Sequence, residues 1–387
     1  MKEDSIYRNS NLWIACGGGL LFMMMATSVV PAFPLIIKEF NISEQEVGLV
    51  ITALTIPLFV LGWIGGVLTD WIGRKRIFVW TTILFGVFGG ACAFVTDFQW
   101  LLVLRVMQGI CSAPSGGLVA TILSDIFHGN QRNEALGFNN TSAYVGYVIF
   151  PVVGGLLAGI SWSATFWPYF LAIPVGIIGQ LFLKVPEPKQ TGNLAHYFKG
   201  TLQYLRSWRV FWLFLATTLT YLLLYGAFLT YFTIMVGSKF QGNPVILGSF
   251  VSVLGLLTAI TSLQVGRISK KLSSVSLVVI GFIFYAVATS IVPLINNIWL
   301  CLIPVALFGI GHGLNLPALM EIASKVTPLD HRAGFMAIQT TMIPLGMTLG
   351  APLMGLIYSL ANLDFVFYFG GIIALITPLL AIFIRKG

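Results

Sequence analysis

Arg105, Gln108, Ser112 and Ser115 recur three and four residues apart in an otherwise apolar stretch, so on a helix they share one face. A planar guanidinium with an amide and hydroxyls beside it can hold a polar or anionic group through directed hydrogen bonds. His312, with Asn315 one turn on, offers a base whose unperturbed pKa of about 6.5 suits proton exchange near neutrality. Asn140 with Tyr144, and Tyr221 with Tyr225, could present ring faces and hydroxyls to a ligand. Met25 ends the cluster Phe22, Met23, Met24, Met25, whose thioethers would make an adaptable wall. Each has a plainer alternative. Arg105 can brace backbone carbonyls, His312 can serve as an interhelical donor, and the aromatics can simply pack.

What is missing also narrows the chemistry. No apolar run carries a Ser-His-Asp set, a paired acid or a metal-binding cluster, and no G-x-x-x-x-G-K-[ST] loop is present. Cys16, Cys92, Cys111 and Cys301 lie inside apolar runs without metal-ligand spacing. A membrane-embedded enzyme or receptor is disfavoured, direct use of ATP is excluded, and no metal or cofactor is expected.

The elements that must position these residues follow from composition. Of 387 residues, 57% are hydrophobic and 9% charged; mean hydropathy is +0.92. A bilayer crossing takes about 20 mostly apolar residues. Twelve such runs are read at 12–34, 47–68, 77–96, 100–123, 135–159, 164–184, 210–236, 246–265, 276–294, 298–321, 335–358 and 364–384. The expectation is an all-α membrane protein; a β-barrel would need short alternating strands instead. With the N-terminus inside, all of the 21 Lys and Arg residues except Lys38, Lys239 and Arg105 fall in cytoplasmic segments. The net charge of +8 therefore reports orientation and not a nucleic-acid partner. Both termini are placed in the cytoplasm and the chain in the inner membrane, in contact with its lipid bilayer. The first run is too long for a signal peptide and lacks a small-residue cleavage site.

A shift of 200 residues lays "QRNEALGFNNTSAYVGYVIFPVVGGL" at 131–156 over "HRAGFMAIQTTMIPLGMTLGAPLMGL" at 331–356, aligning Arg132 with Arg332 and Gly155 with Gly355. Six spans per repeat make the repeat parallel, about an axis along the membrane normal. The division expected is a first bundle at 1–184, a linker with a basic amphipathic helix at 185–209, and a second bundle at 210–387.

"GVLTDWIGRKR" at 66–76 sits between the second and third spans. It resembles the G-x-L-x-D-x-x-G-R-[KR] signature of the major facilitator superfamily at Gly66, Leu68, Asp70, Gly73, Arg74 and Lys75. "RVMQG" resembles that family's R-x-x-Q-G signature at Arg105, Gln108 and Gly109. "GYVIFPVVGG" resembles its fifth-helix antiporter signature at Gly146, Pro151, Gly154 and Gly155, with Phe150 where that signature has glycine. The resemblance, nearest to bacterial drug/proton antiporters of twelve helices, implies two pseudo-symmetric six-helix bundles with a substrate path between them. That path would be lined mainly by spans one, four, seven and ten. It also implies that Asp70 faces the start of the eleventh helix, that Arg74 bridges to Asp125, and that these charges form a gate on the cytoplasmic side.

The function read from this is secondary transport by alternating access, with proton-coupled export of small amphipathic molecules by a monomer. The rival is a facilitator or importer of anionic metabolites, favoured by Arg105 and His312. All 13 acids lie in loops or near span ends, whereas many proton-coupled members carry a carboxylate in the cavity. Protons would then pass through His312, or through peripheral acids such as Asp125 or Glu321.

Overall fold

A backbone inside hydrocarbon must satisfy its own hydrogen bonds, so apolar runs of this length become helices. The computed structural model describes residues 6–186, 207–326 and 332–381, and contains helices and turns but no strand among them. Eleven helices are long and apolar enough to cross a membrane: Glu46–Gly65, Arg74–Phe94, Phe98–Ile126, Gly129–Ala158, Ser163–Phe182, Trp208–Phe240, Pro244–Ile268, Ser274–Leu294, Ile298–Val326, Ile338–Leu360 and Leu363–Ala381. These are spans two to twelve. The first is broken into Ser10–Phe22, Met24–Thr27, Val30–Ala32 and Phe33–Phe40. Pro31 and Pro34 cannot donate to the carbonyls one turn back. The hydroxyls of Thr27 and Ser28 cap two carbonyls near the break, those of Met23 and Met24. No single piece reaches crossing length, but counted together they agree with twelve spans and extend the expected 12–34 to Phe40.

The 200-residue offset reappears in local geometry. The helices ending at Phe40 and Phe240 are each closed by a left-handed non-glycine residue, Asn41 (φ 49°) and Gln241 (φ 50°). Asp97 and Asn297 cap the next-but-two helices through the backbone N–H two residues on. The third and ninth spans begin at Arg74 and Ser274 and end in 3₁₀ turns at Cys92–Phe94 and Val292–Leu294.

Between the halves, contact is made chiefly by the second span with the eleventh and the fifth with the eighth. These contacts gather toward the end opposite the termini, the far end. The Thr348 hydroxyl meets that of Thr55 at 2.9 Å, and Ser252 donates to the Val148 carbonyl at 2.6 Å. Spans five and eight touch backbone to backbone: a Cβ added at Gly155 would stand 2.5 Å from the Pro244 carbonyl oxygen. Toward the other end the same fifth span exposes Asn140 and Thr141. Exposed polar side chains at mid-span are costly against lipid, so this face of the fifth span borders a cleft between the halves.

The seventh span lies at the centre. Residues 219–236 are buried without a break, and Leu223–Phe232 is π-helical. A π segment leaves each carbonyl one residue out of α register; the Thr230 hydroxyl accordingly donates to the Tyr225 carbonyl, five residues back, at 2.7 Å. The linker expected at 185–209 falls largely on 187–206, outside the described residues, as do the side chain of Asp70, the burial of Gly66 and the side chains that open the eleventh helix.

Candidate functional site

Between the halves lies a small cavity, walled by Thr27 of the first span, Tyr147 of the fifth, Leu224 and Leu229 of the seventh, Val251, Leu254, Gly255 and Thr258 of the eighth, and His312 and Leu316 of the tenth. Thr258 turns its hydroxyl to the Leu254 and Gly309 carbonyls, at 2.9 and 3.1 Å, so it adds little polarity to the wall. His312 is the titratable nitrogen base of this wall. It is 2% exposed, its Nδ1 lies 2.7 Å from the Tyr285 hydroxyl, and the Tyr221 ring stands edge-on to it at 5.8 Å. Tyr225 is buried one turn beyond Tyr221, Tyr144 is half-buried on the fifth span, and Asn140 is exposed in the cleft below it. Asn315 is fully buried behind His312, against Gly281. The result is an apolar chamber with aromatic hydroxyls and one imidazole at its edge, and among the described residues no carboxylate, lysine or arginine in the wall.

Arg105, Gln108 and Ser112 share a face, as their spacing requires, but the structure turns that face away from the cavity. Arg105 is 1% exposed. One guanidinium nitrogen donates to the Met25 carbonyl at 3.0 Å and to Gln108 Oε1 at 2.9 Å. Its carbon lies over the rings of Phe166 and Tyr169, at 4.9 and 5.6 Å. Gln108 donates onward to the Phe85 carbonyl, and Ser112 to that of Gln108. The physical reason is the break in the first span: it frees carbonyls near Met25, and a buried acceptor without a donor costs about 1–3 kcal/mol. Tyr169 serves the same break, donating to the Met24 carbonyl at 2.9 Å. Arg105 therefore braces the first bundle, and Met25 contributes a carbonyl to that brace while Thr27 supplies the cavity wall.

Arg74 forms an ion pair with Asp125, at 17% and 23% side-chain exposure. Gly73 precedes it with φ 101°, a conformation that favours glycine, so the helix of the third span starts immediately after the helix Leu49–Ile72 of the second ends. Both charges belong to the first half. The pair ties the third span to the fourth, as the resemblance implied for Arg74 and Asp125, and opening the terminal end need not separate these two charges; the other half of the expected gate, the Asp70 side chain against the eleventh helix, lies outside the described residues. The antiporter-signature residues all sit on packing surfaces. Gly146 abuts Met23, Gly154 the Ser28 carbonyl and Gly155 the eighth span, while the Pro151 carbonyl approaches Gly248.

Thr27, Tyr147, Thr258 and Tyr285 were not singled out from sequence. Tyr147 lies three residues after Tyr144, so helical spacing could have found it. Tyr285 is on the ninth span, which a search confined to spans one, four, seven and ten passes over.

The comparisons agree with this architecture. The model of the Major Facilitator Superfamily matches residues 15–279 and 236–387. The bacillibactin exporter of Bacillus subtilis is 24% identical, over 90% of each chain. The quinolone resistance protein NorA of Staphylococcus aureus is 22% identical, over 85% of each. Among solved structures, a bacterial homologue of the human lysosomal transporter Spinster, inward-facing and occupied, superposes with a TM-score of 0.82 at 16% identity, covering 99% of this chain and 98% of that one.

Proposed function

The chain belongs to the Major Facilitator Superfamily, and from that premise we propose that it is a proton-coupled exporter of small amphipathic molecules working by alternating access. The observation that carries this reading is the cavity between the halves, apolar and partly aromatic, with contacts gathered at one end and a cleft toward the other. Such a wall suits ligands with a large apolar surface and a few hydrogen-bonding groups. Relatives named as a bacillibactin exporter and a quinolone resistance protein lean the same way.

The halves at 1–184 and 210–387 act as two bundles in a monomer, rocking about the cavity. The termini face the cytoplasm of a bacterial inner membrane, so the far end faces outward. Asp70 meets the positive N-terminal end of the eleventh helix when the cytoplasmic end closes. His312 takes up the proton, being the base in a wall that has no acid. The rival reading, uptake of anionic metabolites, loses its main support because Arg105 is spent inside the first bundle.

Proteoliposomes containing the purified protein provide the test. An amphipathic dye added outside accumulates when the lumen is acidified, and a protonophore abolishes the accumulation. Accumulation of an organic anion with no movement of the dye overturns the reading.

A further inference from the structure

The first and seventh spans meet at the cavity, and both are irregular at the same place. In the first half the α-helix ends at Phe22, short helical pieces and turns fill 23–32, and helix resumes at Phe33–Phe40. In the second half it ends at Leu222, π-helix fills Leu223–Phe232, and α-helix resumes at Thr233–Phe240. The boundaries lie 200 residues apart. The cavity wall takes Thr27 from the one segment and Leu224 and Leu229 from the other.

What fixes the two segments differs. The carbonyls freed in the first half accept from side chains: Met25 from Arg105, Met24 from Tyr169 and Ser28, and Met23 from Thr27. At the four positions 200 further on stand Val305, Phe369, Phe228 and Ala227, whose side chains have no donor. Pro31 and Pro34 interrupt an α-helix through the first segment; their counterparts, Tyr231 and Ile234, do not. The second segment satisfies its own carbonyls, through backbone bonds five residues back and the Thr230 hydroxyl on the Tyr225 carbonyl at 2.7 Å. The first segment is thus pinned from outside. The second holds an unusual register that its sequence does not compel.

Register decides which side chains share a face. Residues five apart are neighbours on a π-helix, and Leu224 and Leu229 both line the cavity. On an α-helix five residues turn through about 140°, so the wall can keep only one of them. The inner part of the span is anchored: a Cβ added at Gly346 would stand 2.3 Å from the Thr218 carbonyl oxygen, and the Tyr221 ring meets His312. Leu224, beside that anchor, stays; Leu229 is the one that leaves. We propose that Leu223–Phe232 is a register switch that sets the size of the substrate cavity. The π form, stapled by Thr230, plugs the cavity with both leucines, and conversion to α-helix withdraws Leu229 to admit a bulky apolar part of the ligand. The conversion also turns Thr233–Phe240, whose Gly237 lies against Pro34 of the other half, so the same movement loosens that outer contact. The inference rests on the cavity being the transport site, and its test separates the two.

The test is the distance between spin labels at the two exposed ends of the span, attached through Arg209→Cys and Ser238→Cys in the full chain with its 4 native cysteines replaced. An α-helix fits more turns into ten residues than a π-helix does, so conversion lengthens the span by about 3 Å. A saturating amphipathic dye that the protein transports shifts the parent to the longer distance. Thr230→Val removes the staple and raises the longer population roughly two- to tenfold without dye. An unchanged distribution in either experiment overturns the switch. Kinetics give a second readout, which stands in if the valine variant does not fold. Leu224→Ala, on the wall in both forms, changes the ratio of KM values for a slim and a bulky dye. Leu229→Ala, on the wall only in the π form, lowers both KM values by one common factor; a changed ratio there overturns the withdrawal of Leu229. If an organic anion is transported and the dyes are not, the export reading fails, and the distance measured with that anion decides the switch by itself.

Discussion

Arg105 and His312 are each a costly side chain held inside the membrane, one in each half, and their surroundings differ. Arg105 is closed in by a carbonyl, an amide and two rings of its own bundle. His312 has its back to its own bundle, at Tyr285, and its front on the cavity shared by both. The halves repeat in helix ends and caps, yet the buried cation of the first has no counterpart in the second, where residue 305 is valine. The difference teaches that the cost of burying a charge marks a residue as important without saying for what. Which way the side chain faces decides that.

The largest expected effect breaks or keeps this contrast directly. Arg105→Ala removes the donor to Met25 and Gln108 and the body between two rings, so the protein loses on the order of 3 kcal/mol and most of its folded yield. Thermal unfolding in detergent measures it. A variant that folds normally but cannot transport would put Arg105 in the site after all and dissolve the contrast. Next in size is the surface that belongs to both halves. Gly155→Val inserts side-chain bulk where the fifth span meets the Pro244 carbonyl, at about 2 kcal/mol if the spans stay in contact. Label pairs at the far ends of spans five and eight should move apart; an unchanged distance distribution would deny that this crossing holds the far end shut.

His312→Gln sharpens the other side of the contrast. It should fold and melt like the parent, while transport driven by a pH gradient falls roughly tenfold, about 1.4 kcal/mol, and loses its pH dependence. Parent-like pH dependence would remove His312 as carrier. The smallest effect belongs to Asp125→Asn. A partly exposed pair within one bundle contributes about 1 kcal/mol or less, so a melting shift is expected with no change in label distances between the halves. A change in those distances would restore the gate across the bundles.

The fold was largely legible because bilayer crossing, loop charge and a constant 200-residue offset are properties of sequence alone. The first span was not, since its length depends on how Pro31 and Pro34 break it. In the site, His312 and Tyr221 could be chosen from type and depth. Arg105, Gln108 and Ser112 were assigned to the cavity because helical spacing gives the relative angle of side chains but not the rotation of the helix in its bundle. Tyr285 was missed for a related reason: its partner is a residue of another helix, and pairing across helices leaves no period in the chain. Beyond Leu223, the π register shifts even the relative angles, so spacing along the seventh span misaims.

The continuous burial of residues 219–236 carries a last consequence. In the finished protein this stretch touches no lipid, so its apolar coat is not there to suit the bilayer. A helix that enters the membrane before its neighbours close around it must still partition on its own, with Asp, Lys or Arg at its centre costing about 2.5–3.5 kcal/mol each. Its composition is thus a record of biogenesis: the seventh span is written for the moment of insertion, and the assembled protein inherits a dry, uncharged axis from it.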